Sequence, residues 1–461
     1  MAGVAGGEDT HGPAVMLPSA ASQNDREPDP DRDRNGCIFC GCGRPYLRRP
    51  TLTWQIHSGH GSRAAMLAVG VAAALAAGVS LAPATGAGAS PTAATWTVQP
   101  SPNPKGALDS RLRAVSCSGP GSCVAVGSSD DRSGKQVHQN LLVERLSGGV
   151  WTVVSTPAIS GAVSSTLSGV SCPVAGFCVA VGYVHFANRP TGLLAEMWNG
   201  ASWSDTLLPA PPGGTLPSVA AVSCAAEGAC VAVGRYLNKA GAYRLLAERL
   251  TGSTWTVLAT PTPPHAGDSE FTAVDCPTTT FCEAVGNVAY NDTLQNVFAY
   301  GLSGSTWTYQ RMVNPGPDPG DTAYAVSCSD ASACTSAGSV TVIGESALAE
   351  HWNGSSWVRQ AIPAQVKRPA NALYGVSCNG GSFCVSVGES WRVDRNGHLI
   401  DGRVMGQVWN GTAWSQSPPV VPSGESAGLN AISCPSPTAC IAVGAASTAS
   451  AQSTLVEAYT G

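Results

Sequence analysis

Short apolar runs with β-branched residues recur along this chain in a fixed order. In the third such unit, AVSC (Ala221 to Cys224) and CVAVG (Cys230 to Gly234) precede an alternating segment, Leu245 to Leu250, and a Gly-x-x-Trp turn at Trp255. Runs of this length, bounded by glycine and proline, read as strands. The unit predicts four of them: Val219 to Cys224, Cys230 to Arg235, Leu245 to Leu250 and Ser253 to Leu258. A glycine turn at Thr251-Gly252 joins the last two as a tight hairpin. The proline-rich stretch from Thr260 to Pro264 then carries the chain onward, because prolines cannot donate ladder hydrogen bonds.

The unit occurs seven times, about every 52 residues. Its cysteines fall six apart: Cys117 and Cys123, Cys172 and Cys178, Cys224 and Cys230, Cys276 and Cys282, Cys328 and Cys334, Cys378 and Cys384, Cys434 and Cys440. Six units carry their tryptophan after the cysteines (Trp151, Trp203, Trp255, Trp307, Trp357, Trp414), whereas Trp96 precedes the first pair and the chain stops at Tyr459-Thr460-Gly461. A repeat whose last strand stands at the front predicts an all-β, seven-bladed β-propeller of four-stranded blades, closed by pairing of the N-terminal strand with the C-terminal blade. Features present in every unit serve the blade: the tryptophans, the cysteines, and the glycines read as following strand two (Gly127, Gly182, Gly234, Gly286, Gly338, Gly388, Gly444). The third-strand acids Glu144, Glu196, Glu248, Glu350 and Glu457, with Tyr300 and Gln407 in the other two units, read as a repeated contact between blades.

Composition sharpens this picture. Of 461 residues only 12% are charged, with 53 glycines and 33 prolines, as many-turned β proteins require. A net charge of -5 without long runs gives no electrostatic reason to expect nucleic acid. Cysteines flanking a five-residue hairpin loop lie about 4.5 to 5.5 Å apart at Cα, a span that a disulfide accepts. Each bridge adds about 2 kcal/mol by the chain-entropy estimate. Metal binding would need four ligands where each unit offers two.

Paired cysteines imply an oxidising compartment. Arg44, Arg48, Arg49 and Arg63 precede an apolar run, Ala64 to Ala82, which Ala87-Gly88-Ala89 follows; residues 64–89 therefore read as a cleaved signal peptide or an uncleaved anchor. Either places the propeller, 94–461, outside the cell or on its surface. Residues 1–63 read as a disordered polar leader or a mis-assigned start. Cys37, Cys40, Cys42, His57 and His60 in it offer zinc ligands at spacings unlike common fingers. No metal or other cofactor is expected.

The turns Gly252-Ser253-Thr254-Trp255 and Gly304-Ser305-Thr306-Trp307 resemble the second half of the Asp-box of sialidase-like propellers. The box's aspartate position holds Leu250, Leu302, Trp198, Trp352 or Trp409, and only Arg113 lies near an inner strand where sialidases gather an arginine cluster. The resemblance thus implies the fold rather than sialidase chemistry. Residues 94–461 also look like secreted actinobacterial cysteine-hairpin repeat proteins, a resemblance that implies no particular activity.

Function is expected on one face. In propellers the second-to-third loops and the connections between blades share a face, and the length variation of this chain falls there. Tyr183, His185, Phe186, Arg189, Arg235, Tyr236, Tyr243, Arg244, Tyr290, Trp391 and Arg392 would gather on it, and aromatic faces beside guanidiniums suit sugars or peptides. Asp394-Arg395-Asn396-Gly397 predicts a projecting finger in unit six. In unit four Asp275 replaces the usual serine, with Asp268, Glu270 and Glu283 nearby; paired carboxylates can act in glycoside cleavage or hold a cation, although acids that never meet are commoner. The expectation is a binding protein, monomeric, for an extracellular glycan or protein, touching membrane only through the N-terminal apolar segment. The alternatives are a glycan hydrolase or lyase using the unit-four acids, and a structural envelope protein. No nucleotide loop or nucleophile elbow favours an enzyme.

Overall fold

The structure, a computed structural model, describes residues 94–461 except 134–135, 291–293, 315–319, 342–344 and 423–424. The leader, the apolar segment and the five zinc candidates lie outside the described residues. Among the described residues there are 28 strands and no helix. Five four-stranded antiparallel sheets form blades two to six (162–207, 215–257, 269–311, 322–360 and 370–416). The other eight strands form blade one (109–153) and blade seven (426–460 with 95–99), joined by a single parallel bridge between Asp109 and Gln452.

The ring is closed as its sequence predicts. Thr95–Gln99 runs antiparallel to Gln452–Thr460 with Trp96 opposite Tyr459, their ring centroids 5.2 Å apart. The first strand of each blade meets the first strands of both neighbours, and the circuit returns from blade seven to blade one. These seven strands therefore surround the axis.

Close approach at the axis demands small side chains. Three residues before each first cysteine stand Ala114, Gly169, Ala221, Ala273, Ala325, Gly375 and Ala431. A Cβ on Gly169 would lie 3.0 Å from the Cα of Ala221, and one on Gly375 would lie 2.9 Å from that of Ala431. One position before the cysteine, a side-chain oxygen accepts the backbone N–H of the next blade's first cysteine. Ser116 accepts from Cys172, Ser171 from Cys224, Ser223 from Cys276, Asp275 from Cys328, Ser327 from Cys378, Ser377 from Cys434 and Ser433 from Cys117, at 2.7–3.0 Å. Seven such bonds form an unbroken circle that satisfies seven N–H groups.

Each seam between blades holds its own apolar core, with residues from two adjacent blades, and seven cores complete the ring. The tryptophans reach back across these seams. Trp151 donates to Gln99, Trp357 to Gln310, Trp414 to Gln360 and Trp96 to Ser417, at 2.7–3.0 Å. The third-strand acids, all fully buried, also face the chain entering their blade: Glu144 accepts from Ser101, Glu350 from the Val313 N–H and Glu457 from the Val420 N–H. Glu196 and Glu248 have no partner among the described residues.

Three expectations need correction. The strands of blade three are mostly longer than predicted (Thr215–Ala226, Ala229–Leu237, Tyr243–Thr251, Thr254–Val257), because pairing continues past the apolar runs. The second correction concerns the disulfides, whose pairing is as expected but whose spacing is not. Cys117 bonds Cys123, Cys172 bonds Cys178, Cys224 bonds Cys230 and Cys276 bonds Cys282. Cys328 likewise bonds Cys334, Cys378 bonds Cys384 and Cys434 bonds Cys440. Their Cα atoms are only 3.9–4.2 Å apart, closer than the expected span, because the two strands draw together where a bridge ties directly opposed hairpin residues. Cys123, Cys178, Cys334, Cys384 and Cys440, which open the second strands, are each buried to within a few per cent. Third, the repeated glycines sit within the second strand rather than after it. Opposite each one the first strand bulges by one residue, and its carbonyl oxygen lies 1.9–2.0 Å from where a Cβ would stand. Only glycine fits there.

Candidate binding site at the axial mouth of the long-loop face

The bulge repeated in every first strand exposes one residue per blade. It always lies four positions before the first cysteine: Arg113, Ser168, Ala220, Thr272, Tyr324, Tyr374 and Asn430. All seven are half-buried on the innermost strands. Those with reach lean toward the following blade. Thr272 donates to the Ala323 carbonyl at 2.7 Å, Asn430 donates to the Leu112 carbonyl at 2.8 Å, and Tyr324 packs edge-on against Tyr374 at 5.1 Å. Tyr374 in turn meets Trp391 at 6.5 Å, which extends the aromatic arc outward along blade six. On the other side of Asn430 stands Arg113. Burial and the neighbouring Arg111 lower its pKa, while Tyr183 and Asp130 lie near enough to oppose that shift. The ring is thus aromatic over blades five and six, an amide over blade seven and cationic over blade one, and small over blades two to four.

Trp391 and Tyr183 thus reach the ring, and the other predicted binding residues contact near neighbours in their own or the adjacent blade. In blade two, Tyr183 stacks edge-on with His185 at 5.0 Å, His185 bonds Thr191, and the Arg189 guanidinium covers Phe186 at 3.4 Å. Between blades three and four, Arg235 pairs with Glu270 at 2.7 Å and lies over the Tyr243 ring, while Arg244 donates to the Tyr243 and Gly267 carbonyls. Tyr236 is half-buried against the blade two–three core, and Tyr290 against the blade three–four core. The blade-six finger is present: Val393 pairs with Leu399, and Asp394 caps the turn by accepting from the Asn396 and His398 N–H groups. Blade one projects a second hairpin, paired out to Ser133 and Gln136. A cleft of about 270 Å³ lies at its base, lined by Asp131, His138, Gln139 and Ser164.

The four candidate catalytic acids separate into two pairs at opposite ends of blade four. Asp268 accepts the Tyr243 N–H, and Glu270 is held by Arg235. Asp275 and Glu283 are cross-strand partners five or more residues away, roughly 16 Å along the strand from Glu270. Asp275 accepts from Ser223 and from the Cys328 N–H within the serine circle, and Glu283 accepts from Gln310. Burial raises the pKa of Asp275 and pushes Glu283 up to about 8. Asp275 thus ties blade four to blades three and five, and Glu283 is held within blade four.

The sequence reading missed Tyr324, Tyr374 and Asn430. The signal available was the column itself. Five, three, two and one positions before the first cysteine the residues are respectively apolar, Ala or Gly, Val or Ile, and Ser or Asp, but four before they differ in nearly every unit. On the opposite face, a cavity of about 250 Å³ opens between blades three and four beside Cys230, Cys276, Cys282 and Arg249.

No protein-family model matches the chain, and no curated protein matches it. Among solved structures it is similar to a PL25 ulvan lyase bound to -[GlcA(1-4)Rha3S]-, at 9% identity and a TM-score of 0.48 over 76% of this chain and 94% of the other. It is similar to YCF48 bound to D1 peptide, at 12% identity and TM-score 0.45 over 79% and 95%. A third is the β-propeller domain of the trilobed protease from Pyrococcus furiosus, at 9% identity and TM-score 0.43 over 75% and 94%. Likenesses at this level give no residue-by-residue correspondence, and the propeller fold of this chain stands on its own strand pairing and ring closure.

Proposed function

We propose that this propeller is an extracellular binding module that holds a glycan or a protein partner at the axial mouth of its long-loop face. The observation that carries the reading is the ring of bulged residues. Every neighbouring column on the inner strands follows the repeat, while this one places Tyr324, Tyr374, Asn430 and Arg113 side by side on consecutive blades. A scaffold whose seven first hairpins are each tied by a disulfide fits an oxidising, extracellular setting. Its rigidity suits the presentation of a fixed aromatic and cationic surface, the kind that sugars and peptides stack on.

Binding is preferred to catalysis because each candidate acid is already engaged by a structural partner. An array of extracellular glycans and peptides probed with the exported, oxidised protein tests the reading. Tyr374→Ala should weaken any ligand found by at least about ten-fold, whereas Thr279→Ala on the opposite face should leave it unchanged. Equal affinity for Tyr374→Ala and the parent would overturn the site. Turnover of a bound glycan that Asp275→Asn abolishes in a folded protein would overturn the binding-only reading.

A further inference from the structure

At the base of the blade-six finger, three guanidiniums converge on one carboxylate. Arg368 Nη2 lies 2.7 Å and Arg392 Nε 3.1 Å from Asp401 Oδ2, and Arg403 Nε lies 2.9 Å from Asp401 Oδ1. Asp401 holds this position with a left-handed backbone, φ 58°, beside the irregularity that interrupts pairing between Ser390 and Arg392. A non-glycine residue rarely adopts that conformation, and here it directs one carboxylate at three cations.

The three arginines differ in what they have left to offer. Arg368 is occupied twice over, donating also to the Ser390 and Asp401 carbonyls. Arg392 and Arg403 each spend one Nε on Asp401, and their side chains remain 57% and 33% exposed. Three guanidiniums thus share the one Asp401 carboxylate, with the buried Glu389 carboxyl beside Gly402. Like charges held this close repel, and an anion bridging the outward faces of Arg392 and Arg403 relieves that repulsion with two charge-assisted hydrogen bonds or more. Trp391, the outer end of the Tyr324–Tyr374 aromatic arc, precedes Arg392 in the chain.

We infer that Arg392 and Arg403, held by Asp401, form an anion subsite that makes the ligand of the long-loop face an acidic glycan, one bearing carboxylate or sulfate. This rests on the proposed binding function of that face. A guanidinium matches the paired oxygens of either anion, and aromatic rings alongside supply the stacking surface that a sugar ring uses.

Binding to the full chain is measured with three probes: oligogalacturonate, a sulfated galactan oligomer and neutral cello-oligosaccharide, each at low and high salt. At least one acidic probe should bind more tightly than the neutral one, with affinity that falls as salt rises. The comparison of uronate with sulfate identifies which anion is preferred. Arg392→Gln with Arg403→Gln should lower affinity for that probe by about ten-fold or more, and the double lysine variant should recover part of it. Folding is checked by recovery of the seven native disulfides. Acidic binding unchanged by the glutamine variant but abolished by Tyr374→Ala overturns the subsite and leaves the axial mouth standing. Binding of the neutral probe as tightly as both acidic ones, or binding of none of the three, also overturns the subsite, while the peptide and glycan array with Tyr374→Ala decides the axial mouth separately.

Discussion

Gln360 accepts the indole N–H of Trp414 at 2.7 Å, and in six of the seven seams the residue three positions after one tryptophan tracks whether the next blade's tryptophan has a partner. Where that residue is Gln99, Gln310, Gln360 or Ser417, the bond forms. Where it is Thr206 or Leu258, Trp255 and Trp307 have no acceptor among the described residues. A buried donor left unpaired costs about 1–3 kcal/mol. Gln360→Leu should therefore lower the unfolding free energy by about 1–3 kcal/mol, while Thr206→Gln should raise it by about 1 kcal/mol. Opposite signs from the two changes, measured by urea unfolding, support the rule; a neutral Gln360→Leu refutes it. At this scale the repeated residues were legible in the sequence, since a column of cysteine or tryptophan declares itself. The column proposed for binding was not, because a bulge residue has no composition of its own and shows only as variation between constant neighbours.

Within a blade, the four strands combine a disulfide hairpin, a bulge that only glycine can face, and one buried polar side chain on the third strand. The hairpins and their cysteine pairs could be read from spacing alone. Strand extents could not, because ladder pairing outruns the apolar segments that mark each strand. The polar position carries a testable cost. Burial pushes Glu196 and Glu248 up to about 8, as it does Glu283, and Glu144, Glu350 and Glu457 up to about 7. In the unfolded chain these groups ionise near their ordinary value of about 4.3. Between roughly that pH and pH 8 the folded state holds more protons than the unfolded one, so stability falls as pH rises through this window. Thermal unfolding should thus occur at a higher temperature at pH 5 than at pH 8. Blade six already carries Gln407 at this position, fully buried. Glu248→Gln should accordingly be close to neutral at pH 5, stabilising at pH 8, and should flatten the pH dependence. A wild-type protein more stable at pH 8 would mean that these carboxyls are ionised and paired.

Over the whole molecule, seven separate seam cores and a circle of seven serine or aspartate hydrogen bonds run around the ring, and the seam between blades seven and one adds a parallel bridge between Asp109 and Gln452. Closure was the most legible property in the sequence, because a displaced fourth strand leaves a tryptophan at the front and none at the back. The mouth was less so: which side chains meet across blades depends on how far each leans around the axis. The axial site exists only if the ring is sealed, with Thr95 facing Thr460 and their hydroxyl oxygens 2.9 Å apart at an exposed position. The direct measurement is mass mapping of Thr95→Cys with Thr460→Cys under oxidising, non-reducing conditions. The account predicts an eighth intramolecular disulfide joining the two ends beside the seven native hairpin bridges. Free thiols at both positions, or cross-links only between separate molecules, would contradict it.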